Sequence, residues 1–190
     1  MKAADREVEI KLRFASAEDA RARIERAGAS IRTARHFEDN VLYEDAGRTL
    51  KPNGKVLRLR RVGPTGVLTF KAKPAKDSRY KVREEIETAV SEPGKLACLL
   101  ERIGLTPSYR YQKYRTVYAT DAGLQICLDE TPLGCFVELE GEPAAIDAFA
   151  GKLGFGPADY VLSTYRELQE AATGGEGSRD MVFEDSGGPA

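Results

Sequence analysis

The sequence predicts an α+β fold, namely an eight-stranded antiparallel β-barrel with flanking helices that is built from two similar halves. Most extended segments alternate charged with aliphatic residues, and this period of two places the two kinds of side chain on opposite faces of a strand. Amphipathic helices follow the first strand of each half and can cover an outward aliphatic face. Motifs of the first half also recur at a constant offset in the second half.

The predicted elements follow one another as strand, helix, strand and hairpin in each half. Predicted strands cover residues 6–14, 31–44, 56–62, 66–73, 80–89, 109–119, 124–130 and 134–141. The first helix begins at Ser16 and ends at Gly28, and the second begins at Ser91 and ends at Gly104. A third begins near Pro143, and a last helix runs from Pro157 to about residue 172.

The repeat supports two halves of four strands each. The dipeptide Glu9-Ile10 recurs as Glu85-Ile86, and Gly28 recurs as Gly104, in both cases 76 positions later. Duplication of one unit explains this constant offset, although chance similarity of two strand–helix units is the alternative. Eight antiparallel strands can close into a barrel.

Length and composition favour one domain over residues 1–172, followed by a disordered tail rich in Gly, Ser and acidic residues over 173–190. Lysine and arginine (29) nearly balance aspartate and glutamate (30), which argues against a nucleic acid partner. No apolar segment approaches the length needed to span a membrane. The odd cysteine count, Cys98, Cys127 and Cys135, indicates reduced, mostly buried thiols and a cytoplasmic protein.

The first strand carries the pattern that bears most directly on chemistry. Glu7, Glu9 and Lys11 share one face, opposite Val8 and Ile10. Two carboxylates about 7 Å apart on one face can hold a hard divalent cation, and the lysine beyond them can hold an anion. Because the chain has one histidine, any metal must be held by oxygen atoms. A half-buried strand with a solvated outer face is the simpler interpretation.

The recurrence of this pattern changes the balance between the two interpretations. Seven of the eight predicted strands place charge on one face, and cations dominate some strands whereas carboxylates dominate others. Arg58 and Arg60 share a face of the third strand, and Glu138 and Glu140 share a face of the eighth. A charged lumen is energetically acceptable only if it is wet, ion-paired or filled with an ionic ligand. Converging cations beside carboxylates describe a polyphosphate–metal site.

Six short motifs occur in a fixed order along the chain. They are E-x-E-x-K at Glu7, Glu9 and Lys11; R-x-R at Arg58 and Arg60; K-x-K at Lys71 and Lys73; R-x-E-x-E at Arg83, Glu85 and Glu87; K-x-R at Lys113 and Arg115; and D-x-x-x-x-G-x-F-x-E-x-E at Asp129, Gly134, Phe136, Glu138 and Glu140. Together they resemble the CYTH domain of the triphosphate tunnel metalloenzyme superfamily over about residues 6–170. Ser163 and Tyr165 resemble a further motif in the C-terminal helix of that family.

The resemblance implies a tunnel that binds a triphosphate compound with Mg²⁺ or Mn²⁺. The phosphate-binding residues would be Lys11, Arg58, Arg60, Lys71, Lys73, Arg83, Lys113 and Arg115. The metal ligands would be Glu7, Glu9, Glu85 or Glu87, Asp129, Glu138 and Glu140. Catalytic roles would fall to Glu7, Glu9, Lys11, Glu138 and Glu140. No side-chain nucleophile is required, because positioning and electrostatics carry phosphoryl transfer.

Three functions remain open at this point. The first is hydrolysis of a terminal phosphate from inorganic triphosphate, a nucleoside triphosphate or thiamine triphosphate. The second is class IV adenylyl cyclisation of ATP to cyclic AMP and pyrophosphate, and the segment from His36 to Asn40 resembles the cyclase-like branch. The third is a non-enzymatic polyphosphate or phosphometabolite binder. Hydrolysis is favoured because no base pocket is identifiable. The expected partner is a small triphosphate, with neither nucleic acid nor membrane, and the barrel could form a homodimer.

Overall fold

The computed structural model describes residues 5–75, 78–121, 123–174 and 180–184. The described strands are β1 (Asp5–Phe14), β2 (Ser30–Glu44), β3 (Val56–Val62), β4 (Thr65–Lys71), β5 (Lys81–Val90), β6 (Thr106–Ala119), β7 (Gln125–Thr131) and β8 (Gly134–Glu140). The described α-helices are α1 (Ala17–Arg26), α2 (Pro93–Arg102), α3 (Pro143–Lys152) and α4 (Tyr165–Ala172). The order strand, helix, strand and hairpin agrees with the prediction for both halves.

The strands form a closed barrel in the order β1-β5-β4-β3-β2-β6-β7-β8. Every pair of neighbouring strands is antiparallel. Exchanging β1–β4 with β5–β8 returns the same ring read in the opposite direction, so the two halves are equivalent in topology. The predicted eight-stranded barrel of two similar halves is confirmed.

The hydrophobic core lies outside the barrel wall, between the sheet and the helices. Ile10 of β1 and Leu139 of β8 are buried in one cluster with Ile24 of α1 and Ile146 of α3. A second cluster joins Leu59 of β3 to α2. Because the aliphatic faces of the strands are used for this outer core, the charged faces point into the barrel.

Local signals explain where the helices begin. The Ser16 hydroxyl accepts a hydrogen bond from the Asp19 N–H at 3.2 Å, which caps α1 as predicted. Gly28 follows α1 with a φ of 94°, a backbone conformation that glycine adopts without strain. The helix predicted to begin at Ser91 has Glu92 as its cap and begins at Pro93.

The prediction of one helix from Pro157 to residue 172 is wrong. A single 3-10 turn covers Pro157–Asp159, and the chain then extends so that the Val161 N–H donates to the Lys11 carbonyl oxygen at 2.9 Å. The helix α4 begins only after Thr164, whose backbone N–H and hydroxyl both donate to the Glu167 carboxylate. Pairing with β1 therefore overrides local helix propensity.

The predicted disorder of residues 173–190 is wrong for part of the segment. Residues 180–184 lie against β6. The Met181 N–H donates to the Arg110 carbonyl oxygen, and the Gln112 N–H donates to the Met181 carbonyl oxygen. Met181 is 1% exposed and packs with Tyr111 and Phe136. Residues 175–179 and 185–190 lie outside the described ranges. None of the helices within those ranges has the length and apolar character needed to cross a bilayer.

Candidate active site in the barrel lumen

The lumen contains a cavity of about 620 Å³ whose lining includes the N-terminal turn of α4. Thirteen of the fifteen residues predicted for the site line this cavity, which the alternation along each strand accounts for. They are Glu7, Glu9, Lys11, Arg58, Arg60, Lys71, Arg83, Glu85, Glu87, Lys113, Arg115, Glu138 and Glu140. The exceptions are Lys73 and Asp129.

Lys73 lies on the surface because β4 loses its regular alternation before reaching it. The strand ends at Lys71, and the next backbone bonds join Ala72 to Glu84 and Ala75 to Val82. From the first bond to the second, the chain after β4 advances three residues, from 72 to 75, whereas β5 advances two, from 84 to 82. Such an extra residue on one side is a β-bulge. The Lys73 side chain is exposed and lies beside Gly54, a residue of the cavity lining, but it does not line the cavity itself.

Asp129 is fully buried within the wall and binds the cations that face the lumen. Its carboxylate accepts hydrogen bonds from Lys113 Nζ at 2.8 Å, Arg115 Nε at 2.6 Å and Tyr165 Oη at 2.7 Å. Both carboxylate oxygens are thus used by protein donors. This geometry favours a positioning role for Asp129 over the predicted metal-binding role.

Alternating lysines and carboxylates cross from β5 through β1 to β8. Lys81 Nζ lies 2.8 Å from Glu9, and Lys11 Nζ lies 3.0 Å from Glu138. Burial alone would raise the pKa of Glu9, but the ammonium groups of Lys11 and Lys81 outweigh burial and hold that pKa below its ordinary value. These carboxylates therefore stay ionised at neutral pH.

A neighbouring part of the lumen contains more carboxyl groups than cations. Lys71 is shared between Glu7 and Glu85, whereas the one hydrogen bond that Glu140 accepts from a described side chain comes from the Gln125 amide, at 3.0 Å. Burial and the Glu7 carboxylate raise the pKa of Glu85 to about 8, against the opposing effect of Lys71. Burial and Glu7 also raise the pKa of Glu140 to about 7. We call Glu7, Glu85 and Glu140 the acidic cluster.

In contrast to the acidic cluster, positively charged side chains surround Tyr111. Its hydroxyl accepts a hydrogen bond from Arg58 Nη1 at 3.2 Å. Burial would raise the pKa of this phenol, yet Arg58, Lys113 and Arg60 lower it below its ordinary value. Positive potential therefore dominates this side of the lumen, and the site is electrically divided between cations and the acidic cluster.

Unlike the other buried cations of the lumen, Arg83 has no carboxylate partner among the described residues. It is 5% exposed, and its Nε is buried without a hydrogen-bond acceptor. In the part of the chain that the structure describes, no carboxylate oxygen lies within 4.0 Å of its guanidinium nitrogens. A buried guanidinium without a counter-ion is costly, so this position is suited to an incoming anion.

Sequence reasoning did not assign several lumen residues to the site. Lys81 shares the alternation of Arg83, which is the signal that could have identified it. Glu38, 1% exposed and 3.4 Å from Arg60, shares the alternation of Asn40 on β2. Tyr165 lies beneath two lysines, with Lys11 Nζ at 5.1 Å from its ring centroid.

The donor chemistry of the acidic cluster fits a hard divalent cation, because three carboxyl groups offer only oxygen ligands. The side-chain positions, however, place the Lys71 ammonium between two of these carboxylates. Among the described residues, no three His, Cys, Asp or Glu side chains are grouped so as to hold one metal ion. A metal would therefore have to exchange with the lysine.

Comparison with known proteins identifies the family. The sequence pattern of the CYTH domain matches residues 5–165. The chain belongs to the CYTH domain family. The resemblance drawn from the six motifs is confirmed, and the CYTH barrel is the scaffold of the lumen site described above.

Solved structures share this CYTH fold. A candidate adenylate cyclase from Vibrio parahaemolyticus matches with a TM-score of 0.74 and 20% identity, over 88% of this chain and 99% of that one. The PH1012 protein of Pyrococcus horikoshii matches with a TM-score of 0.71 and 25% identity, over 85% and 98%. A candidate adenylyl cyclase from Hippeastrum with a dominant triphosphatase activity matches with a TM-score of 0.63 and 19% identity, over 89% and 95%. No curated protein matches the chain.

Proposed function

We propose that this protein is a divalent-metal-dependent hydrolase that removes the terminal phosphate of a small triphosphate compound inside the barrel. Inorganic triphosphate, a nucleoside triphosphate and thiamine triphosphate are the candidate substrates. The single observation that carries the proposal is the buried Arg83 guanidinium, which faces the lumen without a carboxylate partner. An ion-paired lumen alone could be structural, whereas an unpaired buried cation is suited to an anionic ligand.

Phosphate binding falls to the cations that the barrel holds in place. Arg83 and Arg58 present planar guanidinium groups that can bind two phosphate oxygens each. Lys113 and Arg115 are fixed from behind by Asp129, so their charges are oriented before a substrate arrives. The positive side of the lumen would bind the phosphate chain, and it would leave the acidic cluster beside it.

The acidic cluster of Glu7, Glu85 and Glu140 would hold Mg²⁺ or Mn²⁺. When bound, the metal supplies neutralisation of charge on the phosphate oxygens and a lower pKa for a bound water. Glu9 and Glu138 stay ionised beside Lys11, which keeps the ammonium of Lys11 oriented toward the lumen. The closed wall limits water around these charges, so each electrostatic contact gains strength.

The chain offers no thiol nucleophile for a covalent route in the lumen wall. Cys127 and Cys135 are both buried and free. Burial raises the pKa of each thiol to about 12, so both stay protonated at neutral pH. Direct attack by water or by a substrate hydroxyl is therefore the step that the site favours.

Cyclisation of ATP to cyclic AMP and pyrophosphate is the second candidate. It requires an apolar surface for adenine next to the phosphate site, and Leu42, Leu57 and Ile86 line the cavity beside the charged residues. The phosphate contacts would be the same for both reactions. The difference is whether water or the ribose 3′-hydroxyl attacks, and which phosphorus it attacks.

Product analysis tests this proposal. Purified protein is incubated with Mg²⁺ or Mn²⁺ and with inorganic triphosphate, ATP or thiamine triphosphate in separate reactions. We expect orthophosphate from at least one of them and complete loss of turnover in EDTA. Cyclic AMP and pyrophosphate from ATP would establish the cyclase instead. Tight binding without turnover of any of the three would replace both enzymes with a polyphosphate binder.

A further inference from the structure

Lys71 of β4 makes an unusually complete set of contacts with two carboxylates. Its Nζ lies 2.7 Å and 2.8 Å from the two Glu7 oxygens and 2.9 Å from a Glu85 oxygen. An ammonium has three N–H donors and no acceptor, and Lys71 uses its ammonium to hydrogen-bond Glu7 and to form an ion pair with Glu85. Both carboxylates belong to the acidic cluster, which is the part of the lumen suited to a metal ion.

The same oxygens are the ligands that a hard divalent cation would take. An ammonium and a divalent cation cannot both occupy the space between Glu7 and Glu85, because they would repel each other at contact distance. Lysine carries one charge for two carboxylates, and Glu140 nearby has no cationic partner among the described residues. Lys71 therefore contacts two of the three carboxyl groups of the cluster and makes no ion pair with Glu140.

We propose that Lys71 is an exchangeable internal cation, which binds Glu7 and Glu85 when no metal is bound and which a divalent cation displaces. The inference rests on the proposed function in one respect, because it takes a divalent metal as the occupant of the acidic cluster. It adds a competitor built into the chain, so the metal affinity of the protein alone is weakened by its own lysine.

The released ammonium has a destination within the lumen. In the β3–β4 register Val56 pairs with Lys71 and Arg58 pairs with Thr69, so Lys71 is one step along the sheet from the Arg58 pair. The lysine side chain has four methylene groups and rotates readily, unlike the planar arginine fork. Lys71 can therefore move from the carboxylates toward a phosphate held near Arg58. A bound phosphate would attract the Lys71 ammonium away from Glu7 and Glu85, and a bound metal would displace it from the same carboxylates. Each ligand would thus favour the binding of the other.

Metal binding without any triphosphate tests this inference. Mn²⁺ affinity of the full chain is measured by isothermal titration calorimetry for wild type, K71M and K71R, with circular dichroism to verify folding. Methionine keeps the length of the side chain and removes its charge, whereas arginine retains the charge at the same position. We expect K71M to bind Mn²⁺ about tenfold more tightly than wild type, within the usual range of coupling between sites. K71R should show no such gain.

Several outcomes would decide the matter. Equal or weaker Mn²⁺ binding by K71M would overturn the exchange, because it would show that Lys71 does not compete with the metal. Absence of Mn²⁺ binding by both proteins would overturn it as well. If K71M fails to fold, the ¹⁵N resonance of the Lys71 ammonium in wild type provides the second measurement, and an unchanged resonance on Mg²⁺ addition would refute displacement. None of these readouts uses turnover, so failure of the hydrolase assay would leave a gain in K71M intact.

Discussion

Arg83 is the residue whose surroundings most directly indicate an anionic ligand. Replacing it with methionine, R83M, removes the unpaired charge and keeps an unbranched side chain of similar length. We expect the KM for the substrate triphosphate to rise about tenfold to hundredfold, the value of one or two charge-assisted hydrogen bonds. The free energy of unfolding of the ligand-free protein should not fall, because a buried charge without a partner is being removed.

Steady-state kinetics and urea unfolding check both parts of this expectation. R61M is the matched control, since Arg61 is exposed on β3 and faces away from the lumen. Unchanged KM in R83M would remove Arg83 from the phosphate site. A large loss of stability would show that its charge is satisfied within the folded protein.

The pKa of His36, which NMR can measure, depends on the charge of the neighbouring Glu38 carboxylate. The ring lies 3.4 Å from the Glu38 carboxylate, whose hydrogen bond raises the pKa of His36 above its ordinary value of 6.5, against partial burial and Arg115. We therefore expect E38Q to lower the pKa of His36. Because His36 is the one histidine of the chain, NMR can follow its titration without ambiguity.

The sign of the associated stability follows from the direction of the shift. A histidine with a raised folded pKa contributes stability that is fully present below pH 6.5 and is lost as the pH rises through the folded pKa. This contribution should be smaller in E38Q, where only the hydrogen bond to the Ala34 carbonyl oxygen still raises the pKa, and unchanged in D19N, because Asp19 pairs with Arg23 on α1. A histidine pKa that is the same in wild type and E38Q would contradict the interaction.

Sequence alternation predicted most of the site at the level of single residues. It placed Arg83 and Glu138 in the lumen because strand side chains alternate strictly. It placed Lys73 there wrongly, since a bulge interrupts the alternation after Lys71. It could not predict which charges pair, because Lys71 meets Glu7 across 64 positions of sequence and only the barrel register brings the two together.

At the scale of secondary structure elements, Asp129 connects three parts of the site. It lies on β7, and it accepts hydrogen bonds from Lys113 on β6 and from Tyr165 on α4. D129N leaves two cations buried beside a neutral amide, so we expect a loss of about 3–5 kcal/mol in the free energy of unfolding. Urea unfolding measures this loss.

The control for D129N is E130Q on the same strand. Glu130 pairs with Arg35 at the surface, where an ion pair contributes about 1 kcal/mol or less. Similar losses for the two variants would show that the buried cluster is not a principal source of stability. A loss confined to D129N would assign the stability to the buried contacts of Asp129 with Lys113, Arg115 and Tyr165.

The elements themselves were predictable to the extent that their signals are local. Ser16 and Gly28 bracket α1 as expected, because capping depends on a few adjacent residues. The last predicted helix was wrong because Val161 bonds to the backbone of β1. That contact joins residues 150 positions apart, and no local pattern encodes it.

At the scale of the whole molecule, a nearly neutral chain encloses a strongly divided interior. The formal net charge is −1. This value does not reveal that cations gather around Tyr111 in one part of the lumen and that the acidic cluster lies in another. The barrel was predictable because its two halves repeat one pattern and close on each other. The charge arrangement, in contrast, required strand order and register, which composition does not contain.

The short segment at residues 180–184 has a consequence for association between molecules. The strand β6 pairs with β2 along one edge. Along its other edge, Tyr114–Ala119 pair with β7, and the preceding residues 110–112 form backbone hydrogen bonds with Met181. Without the segment, that stretch of β6 would present an open strand edge flanked by tyrosines. We expect a chain ending at residue 174 to form larger species than the full chain, measured by analytical ultracentrifugation at equal concentration. By covering this edge of β6, residues 180–184 would prevent strand pairing between two copies of the chain.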